Sequence, residues 1–181
     1  MNPAQAKRIS KFLSLVLRHQ PDKIGLQLDS AGWAEVDELL EKVSSQAFAL
    51  DRASLEEVVA GNEKQRFAFS EDGQRIRASQ GHSIEVELEY QPVEPPEQLY
   101  HGTTGRFLDS IRAQGLLKRS RQHVHLSPDR ETAQKVGQRH GPPVILTVEA
   151  GDMHRTGHVF YCSANGVWLV EAVPPEFIGG L

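Results

Sequence analysis

One cysteine, Cys162, stands among 181 residues. That excludes an internal disulfide framework, and no Cys-x-x-Cys or His-Glu-x-x-His pattern offers a zinc site in its place. No apolar run approaches the ~20 residues a membrane span needs, and the N-terminus is polar where an export signal would be apolar. A reducing cytoplasm and no membrane partner are therefore expected. There is no Walker A loop and no Gly-x-Gly-x-x-Gly, so any nucleotide must be held by some other fold. Internal repeats and low-complexity segments are missing too. An excess of positive charge is also lacking: the formal net charge is −4, which argues against nonspecific coating of nucleic acid. The remaining composition, 39% hydrophobic and 24% charged, is that of an ordinary globular protein.

The charge that is present is unevenly spread. Residues 1–90 carry 11 Lys/Arg and 15 Asp/Glu, and residues 91–181 carry nine of each. Within the second half, Gly105 to Arg139 holds eight basic residues and only Asp109, Asp129 and Glu131 as acids. A local positive field on an acidic chain suits a defined phosphate site. A solvated basic face without a ligand gives the same pattern, and charge alone leaves both open.

Residues 89–98 contain three prolines and no periodicity and read as a linker. The expected division is 1–90, a linker over 91–98, and 99–181. In the first part Ile9, Phe12, Leu13, Val16 and Leu17 follow helical spacing, and Pro21 ends that helix. Val36, Leu39, Leu40 and Val43 predict a second helix, and Ala53 to Ala60 a third, stopped by Gly61. Two alternating runs, 66–70 and 74–78, surround Glu71-Asp72-Gly73 and predict a hairpin. Three helices and a hairpin form a winged-helix pattern. The second part predicts strands over 98–101, 123–127, 144–149, 158–162 and 167–173, with helices over 105–114 and 129–139. The fold class expected is α+β.

Four clusters carry the candidate chemistry. Arg18 and His19 close the first helix, where they either cap its dipole or fork onto a phosphate. Arg75 and Arg77 share one face of the hairpin, and Gln80-Gly81-His82-Ser83 offers donors on a glycine turn that can approach a phosphate closely. His101-Gly102-Thr103 lies on a strand. His123, His125 and Ser127 share one strand face, with Val124 and Leu126 on the other; neutral imidazoles and a serine there suit ribose and diphosphate. No metal is expected. Asn165-Gly166 is a tight-turn signal first and a ligand contact second. No Ser-His-Asp set, paired carboxylates or activated cysteine supplies a protein nucleophile. Positioning and anion stabilisation are the better supported modes.

In order along the chain, these pieces resemble the RNA 2′-phosphotransferase family of KptA type. The matching stretches are 13–21, 25–33, Arg66-Phe67, 76–83, 99–103, 121–127 and 163–169. The resemblance implies a winged-helix lobe followed by a lobe of ADP-ribosyltransferase fold. It implies that NAD is consumed in two steps. An internal RNA 2′-phosphate first attacks the anomeric carbon of the NAD ribose and expels nicotinamide. The adjacent 2″-hydroxyl then attacks that phosphate, leaving 2′-hydroxyl RNA and ADP-ribose 1″,2″-cyclic phosphate. The family's Arg-His-Arg-Arg set carries over to Arg18, His19, Arg66 and Arg121, with Arg119 the alternative for the last. His101, Gly102, Thr103, His125 and Ser127 match the NAD positions, with Asn165 and Gly166 nearby. Arg77, Gln80, Gly81, His82 and Ser83 match the RNA-facing positions. A tRNA-like substrate is implied, and a monomer is expected. The alternative is a transferase of the same fold that stops after the first step and caps terminal phosphates with ADP-ribose.

Overall fold

The computed structural model describes residues 1–181, the side chain of His140 excepted. The chain divides into two compact units, Met1–Glu89 and Tyr90–Leu181, each with its own hydrophobic core. Helices and antiparallel sheets occur in both, so the molecule is α+β.

Unit 1 opens with α1 (Pro3–Arg18). Asn2 caps it reciprocally: its Oδ1 accepts from the Gln5 amide at 2.8 Å and its amide donates to the Gln5 side chain at 3.3 Å. Leu13, Val16 and Leu17 are wholly buried, each such burial being worth roughly 1.5–3 kcal/mol. They meet α2 (Val36–Gln46) and α3 (Arg52–Ala60) in one core. The predicted hairpin is β2 (Phe67–Phe69) and β3 (Arg75–Ala78), paired from Phe67↔Ala78 to Phe69↔Ile76. A strand not foreseen, β1 (Ala34–Glu35), pairs along the other edge of β3. The segment after β3 turns back onto α1: the Ser83 amide donates to the Arg18 carbonyl at 3.0 Å.

Unit 2 is built on two three-stranded sheets. In one, β7 (Pro143–Val148) lies between β4 (Leu99–Thr104) and β11 (Ile178–Gly179). In the other, β9 (Trp168–Val170) lies between β6 (Val124–Leu126) and β8 (Phe160–Cys162). The sheets touch where Tyr100 on β4 and Ser127 just past β6 exchange backbone hydrogen bonds of 2.9 and 2.7 Å. A two-stranded ribbon joins β5 (Leu116–Leu117) to β10 (Ala172–Val173). The run 167–173 thus splits at Glu171 between two partners. Three helices complete the unit: α4 (Leu108–Gln114), α5 (Arg130–Gly137) and the unforeseen α6 (Ala150–Arg155).

Residues 91–98, read as a linker, form no helix or strand before β4 yet are tied into unit 2. The Val93 amide bonds to the Phe160 carbonyl, the Gly151 amide to the Glu97 carbonyl, and Arg155 forks onto Glu97 with two hydrogen bonds of 2.9 Å.

Candidate active site

In unit 1 the end of α1 and the 79–83 turn assemble one cationic cluster. The half-buried Arg18 donates from Nη2 to the Arg66 carbonyl at 3.4 Å and lies 5.9 Å from the Phe67 ring. His19, the C-cap of α1, has its Nδ1 2.9 Å from the Ser83 hydroxyl, which fixes the ring. The turn is held at its start by Ser79, whose amide bonds to the Arg66 carbonyl and whose hydroxyl bonds to the Gln65 carbonyl. Gly81 occupies the left-handed region, φ +86°, where a side chain would strain the turn. Arg18, His19, Arg66, Gln80, Gly81 and Ser83 therefore belong to one neighbourhood.

His82 sits differently from its neighbours. Its side chain is 1% exposed, and neither ring nitrogen has a hydrogen-bond partner among the described residues. Burial first, then the charges of Arg18, His19 and Arg77, pushes its pKa down to about 4. Two guanidiniums and the His19 ring contribute to that field, and no carboxylate does. A neutral imidazole always carries one N–H, so the cluster lacks an acceptor. Arg77 is held by the Trp33 ring, 4.3 Å from its guanidinium, with Arg75 5.5 Å from the same ring. The role of Trp33 as a platform for both arginines escaped sequence reasoning, because 42 residues separate it from Arg75.

In unit 2 the site residues gather where the two sheets touch. His101 on β4 donates from Nδ1 to the His125 carbonyl on β6 at 3.0 Å. A carbonyl only accepts, so the proton is on Nδ1 and Nε2 presents a lone pair. Burial lowers the His101 pKa and keeps the ring neutral. Arg121 approaches His125 Nδ1 at 3.2 Å. A guanidinium only donates, so His125 carries its proton on Nε2. The two imidazoles thus present opposite hydrogen-bonding character. Desolvation first, then the charge of Arg139, lowers the Arg121 pKa, though an arginine stays cationic. Arg119 turns elsewhere, with its guanidinium 5.9 Å from the Phe107 ring.

The remaining predicted residues frame this cluster. Gly102 is where α5 crosses β4, and a Cβ there would lie 1.9 Å from the Ala133 carbonyl oxygen. Thr103 is buried beside it, and the buried Thr104 hydroxyl has no partner among the described residues. Ser127 is half-buried at the sheet junction. Asn165 and Gly166 form the turn between β8 and β9, Gly166 at φ +76° with its amide on the Ser163 carbonyl. His123 packs against Tyr161 at 5.5 Å and Tyr90 at 6.5 Å, an aromatic group whose members lie too far apart in sequence to be read together. Cys162 is half-buried and burial raises its thiol pKa, which weakens it as a nucleophile. No group of three His, Cys, Asp or Glu among the described residues is placed to hold a metal.

The fold and the two clusters define an α+β protein that groups arginine and histidine side chains within each of its units. The sequence pattern of the RNA 2′-phosphotransferase, Tpt1 / KptA family matches residues 4–172, and the chain belongs to that family. A protein of Flavobacterium johnsoniae called a probable RNA 2′-phosphotransferase is 60% identical over 178 residues, covering 98% of each chain. One from Burkholderia lata with the same description is 60% identical over 174 residues, 96% of this chain and 90% of its own. A third, from Streptomyces griseus, is 54% identical over 185 residues, 98% of each.

Proposed function

We propose that this protein removes an internal 2′-phosphate from RNA at the expense of NAD, with unit 1 a winged-helix lobe and unit 2 a lobe of ADP-ribosyltransferase type. The observation that carries the reading is the gathering of Arg18, His19, Arg66 and the 79–83 turn at the end of α1, with the buried His82 imidazole in the same turn lacking an acceptor. A phosphate bound at the end of α1 brings the negative charge that the cationic field acting on His82 lacks. Arg18 and Arg66 fork onto its oxygens, while Ser83 holds the His19 ring.

The residues of unit 2 suit a dinucleotide. His101 Nε2 accepts from a ribose hydroxyl, the His125 Nε2–H donates, and Arg121 offsets the charge gathered at phosphorus in the second step. Thr103, Thr104 and Ser127 add hydroxyls, and Gly102 lets α5 approach the strand. Bound NAD supplies an anomeric carbon with nicotinamide as its leaving group. The RNA phosphate oxygen forms the new bond at that carbon as the bond to nicotinamide breaks. The 2″-hydroxyl oxygen then bonds to phosphorus, and the RNA 2′-oxygen leaves with a proton. Both nucleophiles come from the substrates, which accounts for the lack of one on the protein. The arginines stabilise the charge gathered at phosphorus in the second step, where one such interaction is typically worth ~10²–10³ in rate.

The test is a product assay on a short RNA carrying one internal 2′-phosphate. Loss of that phosphate only with NAD, together with ADP-ribose 1″,2″-cyclic phosphate, is the expected result. RNA that gains ADP-ribose and stops there would reassign the protein as a capping transferase. Unchanged RNA with NAD would overturn the reading.

A further inference from the structure

Asp22 is the first acidic residue of the chain, so α1 contains none, while it carries Lys7, Arg8, Lys11 and Arg18. Residues 22–89, by contrast, hold seven Lys/Arg against fifteen Asp/Glu. The cations of α1 are ordered in space. Steps of four, three and four residues from Lys7 through Lys11 and Ser14 to Arg18 keep all four on one stripe of a helix, which runs roughly 16 Å at 1.5 Å per residue.

Lys7, Arg8 and Lys11 are exposed, and no ion pair among the described residues includes them. They border an open cavity of about 570 Å³ floored by Phe12, Leu15 and Phe48. The Arg8 guanidinium lies 5.0 Å from the Phe48 ring, and Phe12 meets that ring edge-on at 5.3 Å. Uncompensated cations beside aromatic rings match what a single nucleic-acid strand requires, phosphate neutralisation with base stacking. An acidic peptide would use the charges but not the aromatic rings. Nor does such a partner explain why the stripe ends at Arg18.

We infer that the Lys7–Arg18 stripe and the Arg8–Phe48 cavity bind the RNA strand flanking the 2′-phosphate. The inference rests on the proposed function, because the strand is anchored where Arg18 takes the phosphate. At ~3.4 Å per nucleotide of a stacked strand, the stripe spans about five nucleotides, fewer if the strand is extended. Binding a flank is sequence-tolerant, so the site would select RNA by length and single-strandedness.

The experiment compares two RNAs with the same central 2′-phosphate, a trimer and a 12-mer, across three proteins: the wild type, K7E/K11E, and the charge-matched control K23E/K64E. All four lysines are exposed, and circular dichroism checks the fold of each variant. The wild type should favour the 12-mer in kcat/KM, K7E/K11E should lose at least tenfold of that preference, and the control should stay within twofold of wild type. Fluorescence anisotropy with an unphosphorylated 12-mer needs no turnover. There K7E/K11E should show a shallower dependence of log K on log salt, by roughly 0.7 for each RNA phosphate that is no longer neutralised. If binding depends on Lys7 and Lys11 while no RNA is dephosphorylated, the flank site stands and the phosphotransferase reading falls. Equal preference ratios in wild type and K7E/K11E would overturn the flank site. So would a wild type indifferent to length, or one that sediments with phosphatidylserine vesicles yet ignores the 12-mer.

Discussion

The two arginines near the end of β5 have separate surroundings, and the difference is testable. Arg121 reaches His125 on β6, whereas Arg119 lies over Phe107. Arg121→Ala should fold normally and lose roughly 10²–10³ in turnover, as loss of a charge-stabilising donor does, while RNA still carrying ADP-ribose accumulates. Arg119→Ala should lose less than tenfold; gel-resolved single-turnover reactions of both decide it. His82 makes a second residue-scale case, through pH. Its folded pKa of about 4 lies below the ordinary 6.5, so between those values the unfolded chain binds a proton the folded one does not. The resulting stability is fully present above pH 6.5 and declines as pH falls toward 4, by roughly 3 kcal/mol. Denaturant titrations at pH 7 and pH 4.5 should show a smaller drop for His82→Asn than for wild type. Equal drops would mean that His82 does not titrate as its surroundings require.

The crossing of α5 over β4 is set by backbone proximity. Gly102→Ala places a methyl 1.9 Å from the Ala133 carbonyl, which only a shift of the helix can relieve. A loss of about 2–4 kcal/mol is expected, in the range of strongly overpacked sites. At Gly105, three residues on, a Cβ meets nothing within 4 Å, so Gly105→Ala should be neutral or stabilising by up to ~1 kcal/mol. Thermal unfolding of the pair separates packing from a general intolerance of this stretch of chain. This scale is also where the sequence was most and least readable. The apolar stripe of α1, the hairpin around Gly73 and the strand alternation of Val124 and Leu126 are local periodicities, and each predicts its element. By contrast β1, β5, β10 and β11 are two residues long and exist because a distant strand pairs with them. Likewise α6 contains Gly151, a poor helix former, and the Glu97 side chain occupies the space where its Cβ would stand. Its reason lies in a partner 54 residues away. In the site, residue types and clusters were legible. What was not legible was that His82 is buried, that Trp33 carries two arginines, and that His101 and His125 hold opposite tautomers. Each of these joins segments remote in sequence.

The molecule keeps two cores, one in each unit, and the proposed function gives each unit its own ligand. Hydrogen exchange should therefore respond to ligands by unit. NAD should slow exchange in β4 and β6, and a 2′-phosphorylated RNA should slow it in the 79–83 turn and the last turn of α1, through stabilisation of the bound form. Protection of the turn by NAD alone, with none on β4, would refute that division. Three non-glycine residues hold left-handed backbone: Gln65 at φ 41°, Glu89 at φ 55° and Arg119 at φ 54°. They precede Arg66, end unit 1, and stand two residues before Arg121. Each conformation costs of order 1–3 kcal/mol that a glycine would largely escape. A library evolved under heat alone should therefore drift toward glycine or asparagine at these three sites. A parallel library evolved for turnover should resist that drift at 65 and 119, which stand one and two residues before Arg66 and Arg121. Divergence between the two lineages would identify those bends as heritage kept for chemistry at the expense of durability.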